Sequence, residues 1–280
     1  MNWQTIGFEN QKNYFDRLVK TGSLAHAYLF TGPEMIGKFL LAQEIAGRAL
    51  STAGFSPDLK IISPKTEEGE TKIYVEDIRE AKSFLSLSSY GGQHKFVIIN
   101  DAERLTPEAS NALLKSLEEP TPRTTLILIS SKPRQLLPTI TSRCEEVRFL
   151  PHSKETVENC LLENKKITIT GQELLVSMAQ GRIGWVNSAV ERLPEIKKSV
   201  SDLADVLKNG IAERMLYSKK IYEKETYATV LNDWLYWLYG NRDRQPKSHF
   251  ILKCLLDLDA IIKQPQFNHR LALETALISL

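Results

Sequence analysis

Short, nearly continuous apolar runs alternate with longer amphipathic stretches through the first 150 residues of the chain. Such runs are typical of strands buried on both faces of a parallel sheet, whereas apolar residues that recur every three or four positions indicate helices packed on it. The predicted strands are 27–30, 96–99, 124–129 and 145–150, and the predicted helices are 10–20, 40–50, 75–87 and 107–119. This alternation predicts an α/β domain with a parallel sheet that helices cover on both faces.

Strand signals fade after Pro151, and helical patterns fill the rest of the chain. A chain of 280 residues is too long for one typical domain and suits two or three. We predict domains at 1–150, 151–194 and 195–280, with Pro194 near the second boundary. The last domain contains a dense aromatic cluster at 234–239 without interleaved basic residues, which favours core packing or a subunit interface over stacking on nucleic acid bases.

The segment 32–39, with the sequence GPEMIGKF, has the pattern of a phosphate-binding loop between a predicted strand and a predicted helix. In such a loop, glycines such as Gly32 and Gly37 let backbone N–H groups cradle phosphate oxygens, and a lysine such as Lys38 reaches the β and γ phosphates. The last position normally supplies a hydroxyl that binds Mg²⁺, but Phe39 has no oxygen to offer. The alternative interpretation is an ordinary Gly-Pro turn before a helix.

A second element of a nucleotide site would be a strand followed by an Asp that holds Mg²⁺ and a Glu that orients the attacking water. Here the strand at 96–99 is followed by Asn100 and Asp101. An amide brings no negative charge to a hard cation that favours carboxylates, and Asp101 is one methylene shorter than Glu. Together with Phe39, these departures fall where magnesium and water would be handled. The sequence therefore predicts a nucleotide-binding fold that has lost hydrolysis.

Two further segments carry a family resemblance, namely NALLKSLEEP at 111–120 and LLPTITSRC at 136–144. They resemble the clamp-loader branch of the AAA+ ATPases, and within that branch the chain is most similar to the delta prime subunits of bacterial DNA polymerase III. The resemblance covers residues 1–195 with specific motifs. It implies an AAA+ P-loop domain with a parallel sheet, a small helical lid domain and an all-helical collar domain that holds a ring of subunits together.

The triplet Ser142-Arg143-Cys144 is the most specific part of the resemblance. In this family the arginine reaches across a subunit boundary, which implies that Arg143 acts in trans on ATP held by a neighbour. A guanidinium is permanently charged and its forked donors can neutralise charge on a γ-phosphate. The alternative is a surface arginine in a salt bridge. Active relatives also carry an arginine for their own nucleotide where this chain has Gly184; the nearby Arg182 would point about 200° away if it were helical.

Composition and charge limit the other functional classes. The net charge of +2 is too close to neutral for strong nonspecific binding to DNA, so we expect DNA contact only through an assembly. Cys144, Cys160 and Cys254 lie far apart, and neither a disulfide framework nor a metal site is expected. The first residues lack a signal peptide pattern, and no run approaches the roughly 18 apolar residues that a membrane span needs. We therefore expect a cytoplasmic protein without a membrane partner.

These observations predict a clamp-loader subunit of delta prime type that does not hydrolyse ATP, acts as a scaffold and donates Arg143 to a neighbouring site. The implied partners are other clamp-loader subunits, of gamma/tau and delta type, and through them the sliding clamp and primed DNA. No cofactor is required, although Gly32, Gly37 and Lys38 can still hold ATP or phosphate weakly unless Phe39 fills the site.

Two other functions stay open at this point. An active AAA+ ATPase would share the fold, but Phe39 and Asn100 disfavour it. A non-replicative adaptor that binds partners through the same fold fits the residues equally well. The polar, acidic segment 63–72 is expected to be a solvated surface loop.

Overall fold

The computed structural model describes residues 3–52, 56–67, 70–90, 94–162, 168–242, 248–264 and 266–280. The chain divides into two compact units, Met1–His152 and Ser153–Leu280. The finer division of the second unit into domains at 151–194 and 195–280 stays a prediction. Among the described helices, none is long and apolar enough to cross a membrane.

The first unit is built from strands that alternate with helices. Its strands are β1 (Ala27–Thr31), β2 (Leu59–Ile62), β3 (Lys65–Glu67), β4 (Glu70–Lys72), β5 (Lys95–Ile99), β6 (Thr124–Ser130) and β7 (Glu145–Arg148). Its α-helices are α1 (Glu9–Thr21), α2 (Lys38–Ala49), α3 (Val75–Ser86), α4 (Pro107–Glu118) and α5 (Pro138–Thr141). Five strands form one sheet in the order β2-β5-β6-β1-β7, and all of its strand pairs are parallel. The predicted parallel sheet is confirmed.

Two apolar clusters cover the two faces of this sheet, as the strand alternation requires. In β1, Leu29 faces a cluster that α3 and α4 complete, whereas Tyr28 and Phe30 face a cluster that α1 and α2 complete. The strands β5 and β6 are buried along their whole length. This explains why their sequences are nearly continuously apolar, and it fixes the loops that follow them at the carboxyl edge of the sheet.

Local signals placed several helix ends correctly. The side chain of Thr106 accepts a hydrogen bond from the N–H of Ala109, and Pro107 occupies the first position of α4, at the predicted start of this helix. At α3, the Asp77 carboxylate accepts a hydrogen bond from the N–H of Tyr74 at 3.1 Å. Both caps satisfy N–H groups that have no partner within their own helix.

Three sequence expectations need correction. The segment 63–72 is not a plain loop, because β3 and β4 pair there as an antiparallel ribbon; residues 68 and 69 lie outside the described residues. Long-range contacts anchor this ribbon, such as the hydrogen bond from the Arg104 guanidinium to the carbonyl of Thr71 at 3.2 Å, and no local pattern reveals them. The edge strand β2 was also not predicted, since it is short and partly exposed. The predicted last strand ends at Arg148, two residues earlier than expected.

The second unit is described as helices only. They are α6 (Lys154–Leu162), α7 (Ile169–Ala179), α8 (Ile183–Glu191), α9 (Leu193–Lys208), α10 (Ile211–Glu223), α11 (Tyr227–Asn241), α12 (Ser248–Ile262) and α13 (His269–Ser279). They enclose two apolar clusters, one centred on α6 to α8 and the other on α9 to α13. Trp234 of α11 is buried, and its indole N–H donates to the carbonyl of Ser199 at 2.7 Å. The core-packing interpretation of the aromatic cluster is therefore confirmed for Trp234.

Candidate functional site

The glycine-rich segment forms a loop between the carboxyl end of β1 and the first residue of α2. Gly32 and Gly37 have φ angles of 142° and 107°, which residues with a side chain rarely adopt. A Cβ atom at position 32 would lie 2.3 Å from the carbonyl oxygen of Phe149. The structure thus confirms the strand, loop and helix arrangement, while nucleotide binding at Gly32, Gly37 and Lys38 stays a prediction.

Lys38 is buried at the start of α2, and its ammonium group is bound to the loop itself. It donates hydrogen bonds to the carbonyl oxygens of Gly32 at 2.6 Å and Pro33 at 2.5 Å. Burial lowers the pKa of Lys38 to about 8, against the opposing effect of the negative charges of Glu103, Glu34 and Asp101. The lysine that would hold phosphates is therefore engaged with loop carbonyls and lies in a field of carboxylates.

We expect Lys38 to titrate near pH 8 in the folded chain, instead of at its ordinary value of 10.5. Between these values the unfolded chain binds more protons than the folded one, so this group makes the free energy of unfolding rise with pH across that window. The measurement is an NMR titration of isotope-labelled lysine side chains, with Lys38→Met to assign the signal. A Lys38 midpoint at the ordinary value would contradict the expected burial of its charge.

The positions that would handle magnesium do not fit the ion. Phe39 packs its ring against the apolar cluster of α1 and α2 and presents no oxygen. The side-chain N–H₂ of Asn100 donates to Asp101 Oδ2 at 3.3 Å, and the backbone N–H of Asn100 donates to the carbonyl of Ile62 at 2.8 Å. Burial, with a further contribution from Glu103, raises the pKa of Asp101. At these three positions the chain therefore has no hydroxyl, and its one carboxyl group, that of Asp101, is harder to ionise than an ordinary Asp.

Sequence reasoning missed two carboxylates at the same edge, Glu34 and Glu103. Glu34 belongs to the loop, and Glu103 lies in a short 3₁₀ turn, Ala102–Arg104, after β5. The hydroxyl of Ser131, just after β6, donates to Glu103 Oε1 at 2.6 Å and lies 3.1 Å from Glu34 Oε1. Ser130 instead accepts a hydrogen bond from the N–H of Lys132. The available signal was topological, because loops that follow neighbouring parallel strands meet at one edge.

Arg143 lies between α5 and β7, at the opposite edge of the sheet from the loop. Glu145, two residues later, pairs with Tyr28 near the start of β1, whereas the loop follows the end of β1. Five strand residues separate the two edges by ~13 Å. The Arg143 guanidinium contacts Glu118 at 2.9 Å and donates to the carbonyl of Thr139 at 3.0 Å. The structure does not bring Arg143 to its own loop, and a role in trans stays a prediction.

The neighbours of Arg143 in the predicted triplet have structural contacts. The Ser142 hydroxyl donates to the carbonyl of Thr139 at 3.3 Å. Cys144 packs against the apolar cluster of α3 and α4, and burial raises the pKa of its thiol to about 12. A thiol with such a pKa is not a nucleophile near neutral pH. Cys144 is therefore a packing residue, and action of Arg143 on a partner stays a prediction.

The expected orientation of Arg182 needs correction. This residue precedes α8 and has φ and ψ of −96° and 86°, so it is not helical and the angular argument does not apply. Its guanidinium lies 4.2 Å from the ring centroid of Tyr236, and its Nε donates to the carbonyl of Ala179 at 3.1 Å. Gly184 is the second residue of α8. Arg182 therefore packs within the second unit.

The chain is similar to known subunits of DNA polymerase III. Residues 50–153 match the family described as DNA polymerase III, delta subunit. The chain is similar to the DNA polymerase III subunit delta prime of Pseudomonas aeruginosa, with 41% identity over 153 residues, 48% of this chain and 46% of that protein. It is also similar to the subunit of the same name from Bacillus subtilis, with 33% identity over 162 residues, 52% of this chain and 48% of that protein. The chain spans about half the length of the curated relatives that it matches.

Among solved structures, a DNA polymerase III gamma subunit-related protein from Thermotoga maritima is similar, with a TM-score of 0.57 and 22% identity. The match covers 94% of this chain and 97% of that one. A likeness at this identity shows the fold alone, so the family assignment depends on the curated relatives and on the matched residues 50–153. These matches support a relationship to the delta prime subunits of DNA polymerase III, in the clamp-loader branch of the AAA+ fold.

Proposed function

We propose that this chain is a non-hydrolysing subunit of the bacterial clamp loader, a scaffold that donates Arg143 to the ATP site of a neighbouring subunit. The observation that carries the proposal is the loss of magnesium ligands at Phe39 and Asn100, beside a loop whose glycines and Lys38 are intact. Only the positions that would bind the metal and orient the water have changed. This pattern fits a subunit that retains the fold but no longer hydrolyses ATP.

The position of Arg143 supports a role in trans. Its side chain is 37% exposed at the amino edge of the sheet, ~13 Å or more from the carboxyl edge where its own loop lies. Glu118 holds the guanidinium in an exposed ion pair, which costs little to exchange for another anion. A neighbour's γ-phosphate offers a stronger, charge-assisted partner for the same forked donors.

Gamma/tau and delta subunits are the proposed neighbours, and the helices of the second unit form the proposed collar. In this proposal the chain acts in the cytoplasm, and it contacts the sliding clamp and primed DNA only as part of the assembled loader. The net charge of +2 supports this arrangement, since the chain alone has little charge with which to capture a DNA backbone.

An assembly experiment tests the proposal. Mixed with gamma/tau and delta subunits from the same organism, the chain is expected to elute with them as one complex. That complex should load the clamp onto primed DNA faster than gamma/tau and delta without it. A chain that stays separate from these subunits, or whose omission leaves loading unchanged, would favour the adaptor alternative.

A further inference from the structure

Two carboxylates lie close together at the mouth of the phosphate-binding loop. Ser131 connects them, because its hydroxyl contacts Glu103 Oε1 at 2.6 Å and Glu34 Oε1 at 3.1 Å. The N–H of Ser131 also donates to Glu103 Oε1 at 3.2 Å. Since β6 lies between β5 and β1, this bridge spans the ends of three adjacent strands. It crosses the edge where a loop of this type receives phosphates.

The carboxylate of Glu103 is held in place and charged. Its Oε2 atom is buried and has no hydrogen-bond partner among the described residues. Burial raises the pKa of Glu103, but hydrogen bonds from Ser131, from its own backbone and from Ser130 together outweigh that effect and leave this pKa below its ordinary value. Asp101 adds a third carboxyl group nearby, and the negative charges of all three act on Lys38. The charge that Lys38 would offer to phosphates is therefore already compensated within the chain.

We propose that Glu34 and Glu103, joined by Ser131, close the loop against nucleotides by like-charge repulsion. ATP carries several negative charges, and in a working site Mg²⁺ neutralises part of them. Here the metal positions are Phe39 and Asn100, so no bound metal is expected to offset the repulsion between the triphosphate and the two carboxylates, and these carboxylates already compensate the charge of Lys38. Phe39 does not provide the barrier, since its ring packs on the apolar cluster of α1 and α2.

This inference deepens the proposed function, because it assigns residues to the exclusion of nucleotide from a site proposed to be inactive. The test is ATP binding by calorimetry, with and without magnesium, to the full chain and to Glu34→Gln, Glu103→Gln and the double variant. Glutamine keeps the shape and the acceptor oxygen for Ser131 while removing the charge. The double variant is expected to bind ATP roughly 10- to 100-fold more tightly than the parent chain, and each single variant by an intermediate amount.

The matched control is the double variant Glu108→Gln and Glu119→Gln, which makes the same change in net charge at exposed positions on α4 and just after it. It should bind ATP as weakly as the parent. Adding Lys38→Met to the Glu34 and Glu103 double variant should abolish the gained affinity, which shows that the loop is the binding site. If the double variant does not fold, as judged by thermal unfolding, Glu34→Gln decides, because Glu34 is exposed.

Two results would overturn the inference. One is that the Glu34 and Glu103 double variant binds ATP no more tightly than the control variant. The other is that the parent chain already binds ATP at micromolar concentration. Neither result would contradict the proposed function. That function would be contradicted by magnesium-dependent ATP turnover by the parent chain, or by its failure to assemble with clamp-loader subunits.

Discussion

Purified alone, the chain is expected to show no magnesium-dependent ATP turnover above a control without enzyme. Catalysis of this type depends on metal ions that bridge the phosphates and neutralise developing charge, and on a residue that orients the attacking water. Phe39 cannot bind the metal, Asn100 brings no charge to it, and Asp101 is an acid whose pKa is raised by burial. All three residues weaken the metal-assisted attack of water on ATP. The rate of ATP hydrolysis should therefore fall to background rather than to a fraction of an active subunit's rate.

The measurement is steady-state phosphate release at millimolar ATP and magnesium, with a gamma/tau subunit as the positive control. Lys38→Ala guards against contaminating ATPases, since a contaminant would be unaffected by a change in this chain. If the parent chain shows turnover well above background and Lys38→Ala abolishes it, the chain is an active ATPase and the expectation is wrong. Equal turnover by the parent chain and the Lys38→Ala variant would indicate a contaminating ATPase and would not contradict the expectation.

The elements that sequence predicted well are those whose signals are local. Thr106 and Pro107 mark the start of α4 because a hydroxyl cap and a proline without N–H both suit the first turn. The strands β5 and β6 were predicted because burial on both faces makes their residues nearly all apolar. The loop was predicted from the pattern of 32–39 between a strand and a helix, and its glycines adopt φ angles that few other residues accept.

What sequence could not supply depends on contacts between distant segments. The bridge from Glu34 through Ser131 to Glu103 joins residues up to 97 positions apart, and no periodicity points to it. The ribbon of β3 and β4 is exposed, so it has no apolar alternation to reveal it. The ion pair of Arg143 with Glu118 is equally nonlocal. Such contacts depend on the order of the strands in the sheet, and that order cannot be predicted from a single sequence.

Replacing Arg143 with alanine is expected to leave the clamp loader assembled while lowering its ATPase and clamp-loading rates. An arginine supplied in trans contributes ~10³ to 10⁵ in rate to the site that it completes in other systems. The loss for the whole assembly is smaller, because sites that receive their arginine from other subunits keep working. Arg143→Lys should restore only part of the loss, since a point charge does not reproduce the guanidinium fork.

A matched control separates this role from a structural one. Arg79→Ala removes another exposed arginine of the first unit, one that contacts Glu76 at 3.7 Å, and it should leave the loader's rates unchanged. Glu118→Gln removes the present partner of Arg143 but keeps the arginine, so it should also spare the rates if Glu118 only holds the side chain until assembly. An Arg143→Ala complex that turns over ATP like the parent at saturating clamp and primed DNA would make Arg143 a surface arginine. The scaffold would then be the remaining role of this subunit, and the neighbour's site would need its arginine from elsewhere.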